Sequence, residues 1–460
     1  MYRFCLEKLK RWALNPQSKP LVLRGARQVG KTTLVRQLAD AQQLTLVEVN
    51  MEDDHYFTKM LTQKNKAKDI LELILLERDI TASPQDILFF FDEAQEQPGL
   101  YAYLRYFKEL APEYKVIAAG SLFEFELTSQ KASQGPTGRI EYAYLEPMSF
   151  LEFLRAYNRS AYDKLLTIDT KCSVPPPLHE LYTRCFKEYL LCGGMPEVVK
   201  AFVDGQGPLR VDEIKSDILT GYISDLPRYA ALNTTTYDVD ILSSLLMQIV
   251  TLPANSKKYS ELLPGIKADR VKKHLDALQK AKVIRKSSHT SQVKVPLSSG
   301  VNDKHYKYFS LDVGLSYTSL GLPVTQIYTS SDINDVANGV LAEQYVAQTI
   351  AALPPFHKAV SLYHWQRSQK NATAEVDFML ALAGDVFPLE CKSGVSTKMK
   401  SLRILCKEKQ CNKAIRVWAG NITHEDMQIT LDDGTTHTTQ LISLPHYMLE
   451  RFCYKYQSGS

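Results

Sequence analysis

The residues from 25 to 32 have the types and spacing of a loop that binds phosphate groups. They read Gly-Ala-Arg-Gln-Val-Gly-Lys-Thr, a full match to the pattern G-x-x-x-x-G-K-S/T. In such a loop the backbone N–H groups and the N-terminus of the next helix hold a polyphosphate. Lys31 reaches the β- and γ-phosphates, and the hydroxyl of Thr32 ligates Mg²⁺. The nucleotide-binding residues predicted here are Gly25, Ala26, Arg27, Gln28, Val29, Gly30, Lys31, Thr32 and Thr33.

The sequence on either side of this loop supports the prediction. Residues 20–24 form an apolar strand candidate before the loop, and residues 32–39 have the apolar spacing of a helix after it. A chance match to the pattern would lack this order of strand, loop and helix. The sequence therefore predicts a site for ATP with Mg²⁺.

A pair of acidic residues strengthens this prediction. Residues 87–91 are an unbroken apolar run, typical of a central parallel strand, and the run ends in Asp92 and Glu93. Asp92 would hold the Mg²⁺ through water, and Glu93 would orient or deprotonate the water that attacks the phosphate. Alone, the two acids could be a solvated strand end. Together with the loop they predict ATP hydrolysis.

Two further residues are candidates for the catalytic site. Residues 115–119 form another strand, after which Ser121 places a hydroxyl beside the crevice where ligands of open α/β sheets collect. Arg139 precedes the last strand of the sheet and could contact the γ-phosphate, in its own site or in that of a neighbouring subunit. It could equally be a surface residue that pairs with Glu141. Whether the protein forms an oligomer stays open.

Composition and charge are those of an ordinary globular protein. The chain has 460 residues, 45% of them hydrophobic and 23% charged, enough for about three domains. A net charge of +4 is compatible with nucleic-acid binding without requiring it. The eight cysteines lack paired or zinc-like spacing, which predicts free thiols in a reducing cytoplasm. We found no apolar signal core and no apolar stretch of the roughly 20 residues that span a membrane.

The pattern of elements predicts four parts. Residues 1–146 alternate strands and helices, as expected of a nucleotide-binding core with a parallel sheet. Residues 147–235 are helical and would form a lid. Residues 236–305 have the order helix, helix, basic helix and β-hairpin of a winged helix-turn-helix, and residues 306–460 form a second α/β domain. The elements predicted in the third part are helices at 241–250, 259–263 and 267–281 and strands at 283–287 and 292–296.

The third part is the most basic segment of the chain. Its basic side chains could contact the phosphate backbone of DNA, or they could form a solvated helix face in a segment used only for packing. The residues concerned are Lys267, Arg270, Lys272, Lys273, Lys280, Lys282, Arg285 and Lys286.

A second set of chemically active residues lies in the last part. Glu343 falls on the inward stripe of a predicted helix, and a buried carboxylate needs a partner. Asp377 lies on a strand that alternates acidic with apolar residues, and Glu390 and Lys392 share one face of the next strand. Asp377 and Glu390, with Glu343 as a further ligand, could hold a divalent metal. Lys392 could polarise the attacking water or stabilise charge on a scissile phosphate.

This second set resembles the site of PD-(D/E)xK nucleases, represented here by Asp377 and by Glu390-Cys391-Lys392. The proline that often precedes the aspartate is absent, because Glu375-Val376 stands in its place. The set could therefore be an active metal-dependent site, a nuclease-like scaffold that no longer cuts, or an ordinary hairpin with a chance match.

Taken together, the chain resembles the AAA-family ATPases of bacteria and archaea that carry domain of unknown function 4143 at their C-terminus. The resemblance implies an α/β AAA-type nucleotide domain, a winged-helix segment and a nuclease-like, restriction-endonuclease-type domain. It does not supply a reaction. The residues that carry it are 24–33, 91–95, 120–121, 138–139, 145–153, 193–197 and 312–315, with Glu343, Asp377, Glu390 and Lys392.

Two functions are compatible with the sequence. The first is the leading hypothesis: ATP binding and hydrolysis control a C-terminal domain that acts on DNA through Asp377, Glu390 and Lys392. In the second, the protein is a nucleotide-dependent switch or scaffold whose C-terminal domain binds a partner without cutting. The sequence does not decide between them.

Overall fold

A computed structural model gives the structure of the chain. It describes residues 1–53, 60, 66–120, 138–231, 237–254, 258–322, 339–367, 374–396 and 398–459.

The first domain is an α/β fold on a parallel sheet. Within the described residues the sheet has five strands in the order β2-β3-β4-β1-β5. They are β1 (Leu21–Arg24), β2 (Thr45–Asn50), β3 (Ile87–Asp92), β4 (Lys115–Ala119) and β5 (Glu141–Tyr144). The helices are α1 (Cys5–Leu14), α2 (Lys31–Gln42), α3 (Ala67–Glu77) and α4 (Pro98–Leu110).

The apolar run of β3 is buried on both faces, as its sequence predicts. Leu88 and Phe90 pack into the core on the side of α1 and α2. Phe89 and Phe91 pack into a second core with α3 and α4. This double burial fixes the carboxyl end of β3, where Asp92 lies.

Helices follow the sheet, and we keep the name lid for this helical segment. They are α5 (Phe150–Tyr157), α6 (Arg159–Thr167), α7 (Pro176–Cys192), α8 (Pro196–Val203) and α9 (Pro208–Ala231). Ser149 caps α5: its side chain accepts the N–H of Glu152, whose carboxylate accepts the N–H of Ser149 in return. The strong cap explains why α5 begins directly after the sheet domain.

The third part contains the three predicted helices, now bounded as α10 (Val239–Thr251), α11 (Tyr259–Leu262) and α12 (Ala268–Lys280). Its first strand, β6 (Ile284–Thr290), was predicted with a shorter range. The second strand was predicted wrongly at 292–296, because the partner of β6 is β7 (Val301–Ser310). Residues 293–295 form bends instead, and Pro296 has no N–H group to donate to a strand ladder.

The hairpin of β6 and β7 also joins the last part of the chain. Within the described residues the hairpin and two strands of the last part form a four-stranded sheet in the order β7-β6-β8-β9. The two added strands are β8 (Leu362–Gln366) and β9 (Glu375–Val376). Strand β8 runs parallel to β6. The hairpin is therefore part of a larger sheet, which the sequence did not reveal.

The last part has a second sheet and helices on both sides of it. The described strands are in the order β10-β11-β12-β14-β13, with β11, β12 and β14 parallel. They are β10 (Phe378–Leu382), β11 (Asp385–Cys391), β12 (Lys413–Trp418), β13 (Thr423–Thr430) and β14 (Thr436–Pro445). The helices are α13 (Val313–Ser319), α14 (Val340–Ala351), α15 (Lys400–Lys409) and α16 (Leu449–Ser458).

The buried carboxylate of Asp312 joins the lid to α13 and α14. It accepts hydrogen bonds from the N–H of Gly194 at 2.6 Å, from the side-chain amide of Gln348 at 2.9 Å and from the N–H of Gly314 at 2.9 Å. A Cβ atom at residue 193 would lie 2.0 Å from Asp312 Oδ1, and Gly193 also has a φ of +74°. Only glycine fits this approach.

The expectation of free thiols is met among the described residues, where all eight cysteines are unpaired. None of the helices in these ranges combines the length and the hydropathy of a membrane-spanning segment.

Glu450 is a buried acid that packs α16 against the lid. Its Oε2 accepts the N–H of Leu151 at 2.9 Å, near the start of α5. Burial raises the pKa of Glu450 from its usual 4.5 to about 8. The folded protein therefore holds this proton in a pH range where the unfolded chain releases it, so stability falls as the pH rises from about 4.5 to about 8.

We expect Glu450→Gln to remove this penalty, because an amide keeps the acceptor oxygen and carries no charge. Thermal unfolding at pH 5 and at pH 8.5 should show similar melting temperatures at the lower pH and a more stable variant at the higher pH. A melting-temperature difference that does not change with pH would contradict the assignment.

Candidate functional site

The predicted phosphate-binding loop lies between the end of β1 and the start of α2. Gly30 is the N-cap of α2 and has a φ of +92°, in the left-handed region that favours glycine. A Cβ at Gly25 would lie 2.3 Å from the carbonyl oxygen of Leu145. Glycine is therefore needed at both ends of the loop. The loop leaves the first N–H groups of α2 facing the predicted site.

Lys31 is buried at the centre of the loop, with 8% of its surface exposed. Its ammonium donates to the carbonyl oxygens of Ala26 at 2.8 Å and Gly25 at 3.2 Å. Burial lowers the pKa of Lys31, although Glu93 and Asp92 oppose the shift. The Lys31 ammonium contacts neutral carbonyl oxygens here. A bound phosphate would bring a negative charge into contact with this buried cation.

Thr32, Asp92 and Glu93 meet at the end of the loop. The Thr32 hydroxyl donates to Asp92 Oδ2 at 2.6 Å, and the N–H of Glu93 donates to Asp92 Oδ1 at 3.0 Å. Burial raises the pKa of Asp92, and the hydrogen bond from Thr32 opposes that shift. A hydroxyl and a carboxylate oxygen this close are suitable ligands for Mg²⁺ or for its bound water. The residues of this site fit the ion.

Glu93 has a constrained backbone and a partner that sequence reasoning missed. Its φ and ψ are 48° and 41°, a left-handed conformation that is uncommon for a residue with a side chain. The amide of Gln95 donates to Glu93 Oε2 at 2.6 Å. Gln95 is itself buried and lies two residues after Glu93, so a polar residue close behind the motif was the available signal.

A cavity of about 710 Å³ opens between the loop and the lid. The predicted residues that line it are Arg27, Gln28, Gly30, Lys31, Thr32, Thr33, Asp92 and Glu93, whereas Gly25, Ala26 and Val29 form the loop behind them. The opposite wall comes from the lid and includes Pro196, Glu197, Lys200, Val203 and Asp204. The volume suits a small-molecule ligand.

Helix α9 and the N-terminal segment hold the loop from two further sides. The guanidinium of Arg27 pairs with Asp225 at 2.5 Å, and the Tyr222 hydroxyl donates to the carbonyl of Arg27 at 2.7 Å. Arg3 donates to the carbonyl of Val29 at 2.9 Å. The motif alone gave no indication of these contacts, which fix the loop to the lid.

Of the remaining two candidates for this site, Arg139 does not line the described cavity. Ser121 lies outside the described residues. Arg139 is 52% exposed and pairs with Glu109 at 3.1 Å, so the predicted surface alternative had the wrong partner. Glu141 instead accepts the N–H of Lys19 at 3.1 Å. The two acids lie on opposite sides of Arg139 in sequence, and Glu109 on α4 is the one within reach.

The second predicted set converges in space, as the sequence suggested. The Lys392 ammonium lies 2.7 Å from Glu390 Oε1, and the N–H of Cys391 donates to Asp377 Oδ2 at 2.8 Å. Glu343 on α14 faces the same place, with 26% of its side chain exposed. We call the surroundings of Glu343, Glu375, Asp377 and Glu390 the acidic pocket.

Lys307 is the residue of this pocket that sequence reasoning missed. Its ammonium lies 3.3 Å from Glu343 Oε2 and 3.8 Å from Asp377 Oδ1, and it also contacts Glu375. Burial would lower the pKa of Lys307, but Glu343, Asp377 and Glu375 together raise it above its usual value. The position of Lys307 between two aromatic residues of a strand, Tyr306 and Tyr308, was an available signal of burial.

The acids of this pocket are hard to ionise together. Burial and repulsion by Asp377 raise the pKa of Glu343 to about 8 and that of Glu390 to about 7. Among the described residues no three His, Cys, Asp or Glu side chains are placed to hold a metal ion. Glu390 Oε2 is buried without a hydrogen-bond partner in the described structure, but a single oxygen is fewer than a divalent ion takes. The predicted metal ligands meet here, but they do not fit a divalent ion as arranged.

Part of the basic segment has structural partners. Arg285 is nearly buried: it pairs with Glu146 and donates to the carbonyls of Ser310 and Leu311. It therefore does not belong to a DNA-facing surface. For Arg285 this contradicts the interpretation that the basic side chains contact the phosphate backbone of DNA. Lys267 and Lys272 on and beside α12 are exposed.

Three family models match the chain. A model described as AAA domain matches residues 17–154, domain of unknown function DUF8612 matches 183–326, and domain of unknown function DUF4143 matches 338–447. A search of curated proteins finds no match.

Solved structures with similarity to the chain include a Walker-type ATPase of Pyrococcus abyssi, at 17% identity and a TM-score of 0.41 over 68% of this chain and 94% of that one. Two others are DnaA bound to AMPPCP and single-stranded DNA, and AMPPCP-bound DnaA from Aquifex aeolicus. Both have 15% identity and a TM-score of 0.29 and cover 60% and 61% of this chain and 86% and 88% of theirs. With its complete phosphate-binding loop, the chain carries an AAA domain of the P-loop type in its first part and a DUF4143 domain in its C-terminal part.

Proposed function

We propose that the protein binds ATP with Mg²⁺ in the cavity beneath the lid and hydrolyses it. The observation that carries this proposal is the 2.6 Å hydrogen bond between Thr32 and Asp92 at the N-terminus of α2. It brings two suitable oxygen ligands to the end of the phosphate-binding loop. When bound, the ion would neutralise charge on the phosphates.

The chain's own residues account for the remaining steps. Lys31 and the N–H groups of the loop hold the phosphate oxygens, so negative charge that develops during transfer meets fixed donors. Glu93 accepts a proton from the water whose oxygen attacks the γ-phosphorus, and ADP leaves. Gln95 holds one carboxylate oxygen of Glu93 and so orients the base.

We propose further that the nucleotide state acts as a switch on the C-terminal domain. The lid lines the cavity through Pro196 and, two residues before it, binds Asp312 through the N–H of Gly194. Asp312 in turn holds α14 through Gln348. A nucleotide that repositions the lid would therefore act on the helix that carries Glu343.

The folds of the two later parts are also proposals. The order of α10, α11, α12 and the β6–β7 hairpin supports a winged helix. The mixed sheet with α14 and α15, and the convergence of Asp377, Glu390 and Lys392, support a restriction-endonuclease-like domain. Contact with DNA through the exposed part of α12 is compatible with this arrangement.

A second candidate function is DNA cleavage by the acidic pocket. The convergence of Asp377, Glu390 and Lys392 favours it, whereas the Lys307 ammonium among the acids favours the switch. We take the switch as the leading proposal, because the acids do not fit a divalent ion as arranged.

Lys31→Ala should weaken ATP binding by about 100-fold, since removing one partner of a buried charge pair costs about 3 kcal/mol. Equilibrium titration with a fluorescent ATP analogue measures the change. Arg36→Ala removes one positive charge from the exposed side of the same helix and should bind as the wild type does. Equal affinity of the Lys31 variant and the wild type would refute phosphate binding by this loop.

Glu93→Gln should keep ATP binding and lower turnover by roughly 10²- to 10⁴-fold, because the amide cannot accept the proton. Phosphate release under saturating ATP is the measurement. Glu96→Gln, in the same turn but outside the cavity lining, is the matched control. Turnover of the Glu93 variant at the wild-type rate would assign the base elsewhere.

For the C-terminal domain we expect no cutting of linear or circular DNA with Mg²⁺ or Mn²⁺, with or without ATP. Asp377→Ala and the exposed-site control Asp426→Ala are assayed beside the wild type. Cutting by the wild type and the control that disappears in the Asp377 variant would replace the switch with the second candidate.

A further inference from the structure

An ammonium group stands among the carboxylates of the acidic pocket at the place where a divalent cation would be expected. We propose that Lys307 is the resident cation of this pocket, and that the wild-type pocket does not take up Mg²⁺ or Mn²⁺. The inference concerns this pocket alone and does not depend on ATP turnover in the first domain.

Lys307 is held in place by its strand. Only 3% of its side chain is exposed, and its ammonium lies within 4 Å of Glu343, Glu375 and Asp377. The neighbouring Tyr306 and Tyr308 are buried, and β7 is paired with β6 on both sides of this position. The strand fixes the backbone at Lys307, and the ion pairs with Glu343, Glu375 and Asp377 hold its ammonium in the pocket.

The acids around Lys307 already have partners. Asp377 accepts the N–H of Cys391 with one oxygen and faces Lys307 with the other. Lys392 binds Glu390 Oε1. A divalent ion entering here would lie beside two ammonium groups, whose repulsion is strong in a partly buried site. Glu390 Oε2 is buried without a hydrogen-bond partner in the described structure, and one such oxygen is fewer than the about six ligands that the ion takes.

The Lys307 ammonium and the acids of the pocket lie in segments that different family models match. Lys307 lies in the segment matched by DUF8612, and the four acids lie in the segment matched by DUF4143. The ion pairs of Lys307 thus join the two matched segments as well as neutralising the acids.

The test is Mn²⁺ binding to the full chain, measured by electron paramagnetic resonance of free Mn²⁺ in the absence of nucleotide. All arms carry Asp92→Asn, which removes the carboxylate ligand of the ATP site and so weakens metal binding there. We expect no bound Mn²⁺ in this background. Lys307→Met, which keeps the length of the stem and removes the charge, should gain one bound ion per chain, and adding Asp377→Asn should abolish it.

Two control variants define the role of the charge. Lys294→Met removes an exposed charge from the loop of the same hairpin and should gain no Mn²⁺. Lys307→Arg keeps the charge and should also gain none. Circular dichroism of each variant confirms folding before the titration.

Two outcomes overturn the proposal. One is a bound Mn²⁺ in the chain with Lys307 intact that Asp377→Asn removes. The other is a folded Lys307→Met variant that gains no ion. The first outcome is measured on chains that keep Lys307. It therefore tests the proposal even if the Lys307→Met variant does not fold.

Discussion

The buried carboxylate of Asp312 is the interaction on which the arrangement of the parts depends. A buried carboxylate is costly unless hydrogen bonds satisfy it. Burial raises the pKa of Asp312, and the N–H groups of Gly194, Gln348, Leu315 and Gly314 oppose that shift. These donors come from the lid, from α14 and from the start of α13. Losing any one of them would leave part of the free-energy cost of burying the carboxylate uncompensated. The three elements are therefore fixed together.

From Asp312 a short path of contacts leads to the nucleotide cavity. The carbonyl of Gly194 accepts the N–H of Met148 at 2.6 Å, and Met148 lines the cavity. Two residues after Gly194, helix α8 begins at Pro196. The ring of Pro196 lies 3.4 Å from the position that a Cβ at Gly30 would occupy. A ligand between the loop and α8 thus acts on residues that share hydrogen bonds with Gly194. The path consists of packed, hydrogen-bonded groups with little free space, as transmission of a small displacement requires.

The sequence predicted correctly those features that residues close together in the chain determine. The phosphate-binding loop and the acids after β3 are short motifs with one geometry, and their residues meet as expected at Thr32 and Asp92. The strand at 292–296 was wrong, because alternation over a few residues does not reveal that Pro296 lies in a connection. Lys307 was missed since its partners are 36 or more residues away in sequence. Arg285 looked like a surface cation, because charge patterns do not show that Glu146 comes within reach.

The position of α14 beside β7 is set by neutral hydrogen bonds. The side chain of Gln344 accepts the N–H of Ser310 at 2.9 Å and donates to its carbonyl at 3.0 Å. This pair lies next to Glu343 on the helix and three residues beyond Lys307 on the strand. It holds the two elements together whatever charges the acidic pocket carries. Removing the charge of Lys307 therefore changes the electrostatics of the pocket while Gln344 and Ser310 preserve its shape, so the two effects can be separated.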